Sequence, residues 1–175
     1  LPYLRDENLV RSWAVPGTKD LQHRVGGLEK DFLTGNVSYD PDNHEKMVKV
    51  RAAKIAKISD FIAEIELEAG TIDADVLVLG WGSTFGAIKT AVKDLSEEGY
   101  KVAHAHLTFI NPMPRNLGAM LKSFKKVLIP ELNDAQMVHV IRSKYLIDAI
   151  PFNKIKGLPF SIEEIKAKIL ETLPS

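Results

Sequence analysis

The chain has 175 residues, of which 45% are hydrophobic and 26% charged, and its 23 basic and 23 acidic residues give a formal net charge of zero. This balance gives no whole-chain electrostatic case for binding nucleic acid or a membrane, and no apolar run approaches the roughly 20 residues that span a bilayer. Cysteine is absent, which excludes disulfides and cysteine ligation of zinc or an iron–sulfur cluster within these residues and fits a cytoplasmic protein.

The first 43 residues are rich in polar residues, glycine and proline, and they contain no periodic segment long enough to predict a helix. A stretch of this length without regular structure is unusual inside a compact domain. We therefore expect residues 1–43 to form an extended arm or linker. Because the chain begins with Leu1, we also expect it to be a piece of a longer polypeptide.

Residues 44–70 are predicted to form one connecting helix. Apolar residues recur near helical spacing over residues 47–65, and the opposite face is rich in lysine, arginine and glutamate. Asp42 or Asn43 is expected to cap the start of this helix. A break near Ser59 stays open as an alternative.

Residues 71–175 alternate short apolar runs with amphipathic segments. This alternation predicts a mostly parallel sheet with helices on both faces, that is, a three-layer α/β/α domain. Ser161, with Glu164 three residues later, forms a capping box that begins the last helix. The predicted strands are 76–80, 101–107, 126–130 and a weaker 152–155, and the predicted helices are 84–98, 116–124, 134–144 and 162–173.

The glycine-rich turn "GWGSTFG" joins the first of these strands to the first helix. Free amides at a helix N-terminus attract anions, which makes Gly82, Ser83 and Thr84 weak candidates for an anion site. The dinucleotide fingerprint is not met, because Gly86 lies one position late and no carboxylate ends the next strand. The P-loop pattern is not met either.

A structural interpretation of the same turn is a tight corner capped by Ser83, in which the bulky Trp81 and Phe85 pack against another surface. Both interpretations stay open at this point. No catalytic residue and no metal site are predicted in the chain. His104 and His106 alternate along a strand and share a face, but two histidines do not complete a metal site, and a structural role is favoured.

The loops that follow the other strands should meet the glycine turn at the same edge of the sheet. Glu131 ends the third strand, where it could act as a general base or as a hydrogen-bond anchor for the neighbouring loop, and the anchor is favoured. Arg115 could meet a partner's carboxylate or a phosphate. The residues predicted to form an interface at this edge are Trp81, Phe85, Phe109, Pro112, Arg115, Glu131 and Asn133.

Several segments resemble the alpha subunits of 2-oxoacid:ferredoxin oxidoreductases, and the 2-oxoglutarate type is the most similar. The first is "GGLEKDFLTGNVSYDPDNHEKMVKVRAAKIAKI", and "VLVLGWGSTFGAIKTAV", "HLTFINPMP", "IPELNDAQM" and "IKGLPFSIEEI" follow in the family's order. The resemblance covers about residues 13–173. Two positions depart from the family pattern: Lys30 stands where His is expected, and Phe32 stands where Glu is usual.

The resemblance implies a domain similar to the C-terminal domain of transketolase, reached by an arm from a preceding pyrimidine-binding domain. It implies that the whole enzyme decarboxylates a 2-oxoacid on thiamine diphosphate with magnesium, passes electrons through an iron–sulfur cluster to ferredoxin, and transfers the acyl group to coenzyme A. The cofactors would lie outside these residues.

The chain itself would then have a structural and subunit-assembly role beside the beta subunit and would be inactive alone. A second hypothesis, of a different class, is a free-standing nucleotide- or coenzyme-binding module that uses the loop from Gly80 to Gly86 as its anion site.

Overall fold

The computed structural model describes residues 1–23 and 25–174, which form two compact units, Leu1–Ile62 and Ala63–Ser175. The first unit contains helix α1 (Pro41–Lys57), which continues into a short 3-10 turn at Ile58–Asp60. Before α1, its described residues form loops joined by two isolated bridges, Arg5 with Arg11 and Lys30 with Val37.

Helix α1 differs in extent from the predicted helix over residues 44–70, because it starts earlier and ends at Lys57. Its N-cap is Asp40, whose side chain accepts a hydrogen bond from the Asp42 amide at 3.0 Å. Pro41 occupies the first turn and disfavours a helical Asp40, which leaves Asp40 in the extended conformation of an N-cap. The predicted caps Asp42 and Asn43 are therefore wrong, and Asn43 instead accepts from the Phe32 amide at 2.9 Å.

The second unit begins with strand β1 (Leu67–Ala69), which lies within the span predicted to be helical. The sequence does carry a signal for it, since Ala63, Ile65, Leu67 and Ala69 alternate with three glutamates in the period of two that strands follow. The helical interpretation is wrong for this segment. Its apolar residues fit both the helical period of 3.6 and the strand period of two, and pairing of β1 with β3 at the edge of the sheet selects the strand.

The sheet is completed by β2 (Val76–Trp81), β3 (Val102–Leu107), β4 (Lys126–Glu131) and β5 (Ile150–Asn153). The strand order is β1-β3-β2-β4-β5, in which β1 is antiparallel to β3 and the other pairs are parallel. The helices are α2 (Phe85–Glu97), α3 (Leu117–Lys122), α4 (Gln136–Tyr145) and α5 (Ile162–Thr172).

One face of the sheet packs against α3 and α4, and the other packs against α2 and α5, so that the core has two apolar clusters. The predicted mostly parallel, three-layer α/β/α fold is confirmed. The capping box at Ser161 is also confirmed, since Ser161 Oγ accepts from the Glu164 amide at 3.1 Å and Glu164 Oε2 accepts from the Ser161 amide at 2.8 Å. Within the described residues, none of the helices has the length and apolar character needed to cross a membrane.

Candidate functional site

The candidate site is the edge of the sheet at which the four parallel strands end, here called the C-terminal rim. Strands β2, β3, β4 and β5 finish there at Trp81, Leu107, Glu131 and Asn153. In open α/β sheets the loops at this edge are where ligands and partners bind.

At the glycine turn, a 3-10 turn at Gly82–Thr84 separates β2 from α2. The Thr84 hydroxyl donates to the Trp81 carbonyl at 2.9 Å and lies 3.3 Å from the Trp81 amide. Ser83 is exposed, and within residues 1–23 and 25–174 no side chain caps the amides of α2. The predicted cap at Ser83 is therefore wrong, because the 3-10 turn moves the N-cap position to Thr84, and the Thr84 hydroxyl is bonded within the turn.

The three glycines of the turn have different roles. A Cβ on Gly80 would lie 2.7 Å from His106 Nδ1 and 3.2 Å from Thr84 Oγ1, so only glycine fits there without displacing neighbours. Gly82 has a φ of +58°, in the left-handed region that glycine favours. A Cβ on Gly86 would meet nothing within 4 Å. This geometry supports a tight corner, and the weak anion site at Gly82, Ser83 and Thr84 stays a prediction.

His104 and His106 lie beside this turn on the same face of β3, with ring centroids 5.7 Å apart. His104 is fully buried, and neither of its ring nitrogens has a hydrogen-bond partner among the described residues. Burial, followed by the nearby His106 and Lys89, lowers the pKa of His104 to about 3. Burial also lowers the pKa of His106, although its Nε2 donates to the Gly82 carbonyl at 3.2 Å. Both imidazoles are therefore neutral at pH 7.

The third loop of the rim is organised by Glu131, which is completely buried. Its Oε2 accepts from the Met137 amide at 2.8 Å and its Oε1 accepts from the Val138 amide at 3.0 Å. Asn133 Oδ1 accepts from the Gln136 amide at 3.0 Å. Side chains thus satisfy the first three amides of α4, and the Glu131 carboxylate serves as an anchor inside the domain and is not offered at the surface.

The exposed apolar surface of the rim is formed by Phe109 (47% exposed), its neighbour Ile110 and Phe85 (36% exposed). Phe85 packs against both histidines, with centroid distances of 5.6 Å to His104 and 4.9 Å to His106. Trp81 packs against the apolar cluster on the other face of the sheet. Trp81 and Phe85 therefore contact different parts of the domain, and their predicted packing against another surface stays a prediction. Pro112 is half-buried beside this surface, and Arg115 is exposed.

A polar cluster in the first unit was not predicted from the sequence. Glu29 accepts two hydrogen bonds from Arg51, both at 3.1 Å, and one from His44 Nδ1 at 2.8 Å. The hydrogen bonds from Arg51 and then His44 lower the pKa of Glu29 to about 2. The spacing of His44 and Arg51 by seven residues, two turns of one helix, is the signal that could have suggested a shared partner. Among the residues described, no three histidine or carboxylate side chains are placed to hold a metal ion.

Comparison with known proteins identifies the family. The model of the family "Pyruvate:ferredoxin oxidoreductase core domain II" matches residues 74–165, which is more than half of the chain. The chain is 47% identical over 165 residues to the 2-oxoglutarate oxidoreductase subunit KorA of Mycobacterium tuberculosis and 32% identical over 148 residues to the 2-oxoglutarate synthase subunit KorA of Methanocaldococcus jannaschii. These matches cover 94% and 83% of the chain but only 25% and 39% of the two relatives.

A solved structure of a 2-oxoacid oxidoreductase also matches this chain. The chain superposes with a TM-score of 0.89 and 36% identity on 2-oxoglutarate:ferredoxin oxidoreductase from Magnetococcus marinus, a protein solved with 2-oxoglutarate, coenzyme A and succinyl-CoA bound. The match covers 97% of this chain and 30% of that one. The resemblance seen in the sequence is thus confirmed: the chain belongs to the pyruvate:ferredoxin oxidoreductase core domain II family and corresponds to part of the alpha subunit of a 2-oxoacid:ferredoxin oxidoreductase.

Proposed function

We propose that this chain is a structural and subunit-assembly domain of a 2-oxoglutarate-type ferredoxin oxidoreductase. The complete enzyme would decarboxylate a 2-oxoacid oxidatively and form an acyl-CoA. The observation that carries this proposal is the match over 97% of the chain, at a TM-score of 0.89, to the Magnetococcus marinus enzyme. That protein's bound ligands make 2-oxoglutarate the first substrate to test.

The chemistry of the rim supports a structural role. The polar groups with the best position for catalysis are already engaged by the domain's own backbone: Glu131 by α4, and Thr84 by Trp81. His104 is buried and neutral, and a buried neutral imidazole exchanges no proton with a substrate in solvent. The Nε2 atom of His106, the second histidine at this edge, is held by the Gly82 carbonyl at 3.2 Å.

The exposed apolar side chains support an assembly role. Phe85, Phe109 and Ile110 are solvent-accessible at the rim, and the first unit exposes Trp13 (90%) and Tyr39. Exposed large apolar side chains of this kind are buried when another protein surface binds. We assign the rim, including Pro112, Arg115 and Asn133, to the contact with the beta subunit.

The cofactors are part of the same proposal. Thiamine diphosphate, magnesium and the iron–sulfur cluster would be held by other domains and by the beta subunit, and ferredoxin and coenzyme A would bind at the level of the whole enzyme. The absence of cysteine supports this division, since these residues supply no thiolate ligand to a cluster. The proposal also places the enzyme in the cytoplasm.

Co-purification tests the assembly role. The full-length alpha subunit is expressed with a tagged beta subunit, and Phe109→Asp is compared with Tyr100→Asp, which alters an aromatic residue of similar exposure (42%) at the opposite edge of the sheet. A central aromatic anchor contributes about 2 kcal/mol or more to an interface, so Phe109→Asp should weaken association about 30-fold. Equal recovery of beta subunit with both variants would contradict the assignment of this surface.

One observation favours the coenzyme-binding alternative: in the described part of the chain the amides of α2 have no side-chain cap, and Ser83 is exposed beside them. A thermal-shift panel with coenzyme A, NAD and nucleotides tests it. Stabilisation that is lost in Ser83→Ala would favour this alternative. Gly82→Val is a weaker test, because the left-handed φ of Gly82 makes that variant strained without any ligand.

A further inference from the structure

An open recess lies at the C-terminal rim of the second unit, and the exposed ring of Phe109 forms part of its wall. Its volume is about 310 Å³, at the lower limit of the cavities that hold small molecules. One wall comes from residues 63–68, which lead into β1, and the opposite wall comes from Phe109 and Pro114 in the loop after β3. We call this feature the acidic recess, because three glutamates line it.

Two of these glutamates, Glu64 and Glu66, are held on the open side of an extended segment. The side chain of Asn116 accepts a hydrogen bond from the Ile65 amide at 2.9 Å and donates one to the Ile65 carbonyl at 2.8 Å. Ile65 itself is buried, so the period of two in extended backbone directs its two neighbours to the other side. Both carboxylates are exposed, and neither forms a hydrogen bond or an ion pair with a described residue.

The charge of the acidic recess is only partly compensated by the domain itself. Glu68, the third glutamate, pairs with Lys89 at 3.1 Å, but the described lining residues include neither a lysine nor an arginine. His106 also lines the recess, and burial lowers the pKa of its imidazole, so that it is neutral at pH 7. The recess therefore presents two uncompensated carboxylates beside an exposed aromatic ring.

We propose that the exposed apolar surface of the rim docks a face of the beta subunit that places a basic side chain in the acidic recess. This inference rests on the proposed assembly role and names the chemistry of the partner. Carboxylates are depleted in protein interfaces, so Glu64 and Glu66 beside an apolar contact require a compensating cation. Arginine suits the recess best, because a guanidinium binds carboxylates through several N–H groups while its face stacks on an aromatic ring such as Phe109.

Surface plasmon resonance between the full-length alpha subunit and the beta subunit, at several salt concentrations, tests this contact. A double variant, Glu64→Gln with Glu66→Gln, should raise the Kd about tenfold to a hundredfold, because charge-assisted hydrogen bonds are lost. The Kd of this variant should also depend less on salt. The matched control, Glu97→Gln with Glu171→Gln, removes the same charge from exposed positions at the ends of α2 and α5, at the opposite edge of the sheet, and should change neither quantity.

Ile110→Asp separates this inference from the assembly role, since Ile110 is exposed on the apolar surface of the rim and is not among the residues that line the recess. If Ile110→Asp weakens association and the double variant of Glu64 and Glu66 binds as tightly as its control, the contact in the recess is wrong and the assembly role stands. If neither weakens association, the rim is not the contact and both proposals fail. Glu66→Lys should weaken association more than Glu66→Gln, because it places a cation where the partner's cation binds, and equal effects would overturn the inference.

Discussion

Replacement of Gly80 by alanine tests whether the glycine turn is a packed corner. The added Cβ would lie 2.7 Å from His106 Nδ1, 2.8 Å from Ile88 Cδ1 and 3.2 Å from Thr84 Oγ1. The Ile88 methyl can rotate away, but the His106 ring is fixed by its bond to the Gly82 carbonyl, and Thr84 is fixed by its bond to Trp81. Overpacking of this kind costs about 1–3 kcal/mol, and we expect Gly80→Ala to destabilise the domain by that amount.

Gly86→Ala is the matched control for this experiment. The site is exposed, a Cβ there meets nothing within 4 Å, and alanine is favoured over glycine in a helix by up to about 1 kcal/mol. Urea unfolding followed by circular dichroism should therefore move the two midpoints in opposite directions with an unchanged slope. If Gly80→Ala proves as stable as Gly86→Ala, the packed-corner interpretation is wrong, and space at Gly80 would be available to a ligand.

Three further predictions concern buried and paired charges. Glu131→Ala should lower the free energy of unfolding by about 3–5 kcal/mol, because two charge-assisted hydrogen bonds to α4 are lost. Asn133→Ala should lower it by only about 1 kcal/mol, and similar losses in the two variants would refute the anchoring role of Glu131. Burial lowers the folded-state pKa of His104 to about 3, so stability should fall as the pH drops below about 6.5, where the unfolded chain takes up the proton. A His104→Leu variant should show a shallower slope between pH 6.5 and 5, with the remainder due to His106, and an unchanged slope would contradict this prediction. The hydrogen bonds from Arg51 and His44 lower the pKa of Glu29 to about 2, so its contribution to the free energy of unfolding is present above pH 4.5 and is lost as the pH falls towards 2. Glu29→Gln should therefore weaken the pH dependence of the free energy of unfolding between pH 4.5 and 2. An unaltered pH dependence would show that the contacts of Glu29 are not formed.

The sequence predicted the central part of the fold well for a physical reason. Strands buried on both faces are continuous apolar runs, and β2, β3 and β4 are found where those runs lie. The two edge strands are only partly buried and do not form continuous apolar runs. Strand β1 is three residues long with only moderate burial, and β5 starts at Ile150, two residues before the predicted strand.

The candidate site was less predictable, since its geometry depends on contacts between distant residues. The sequence places Glu131 at the rim and favours an anchoring role, and the structure adds which amides it holds. No local pattern shows that Glu29 meets Arg51 across 22 positions, because that contact requires the loop before α1 to fold back on the helix. The burial of Lys30 is likewise a property of the folded loop, since a lysine in a polar segment is ordinarily expected at the surface. The predicted division into an arm, a connecting helix and a domain, and the predicted interface residues, stay predictions.

Calorimetric titration of thiamine diphosphate with Mg²⁺ into the 175-residue chain tests the central claim most directly. If this domain supports assembly and the cofactor is held elsewhere in the enzyme, the titration should show no binding heat beyond dilution. Saturable binding in the micromolar range would contradict the account, because it would place the cofactor on these residues.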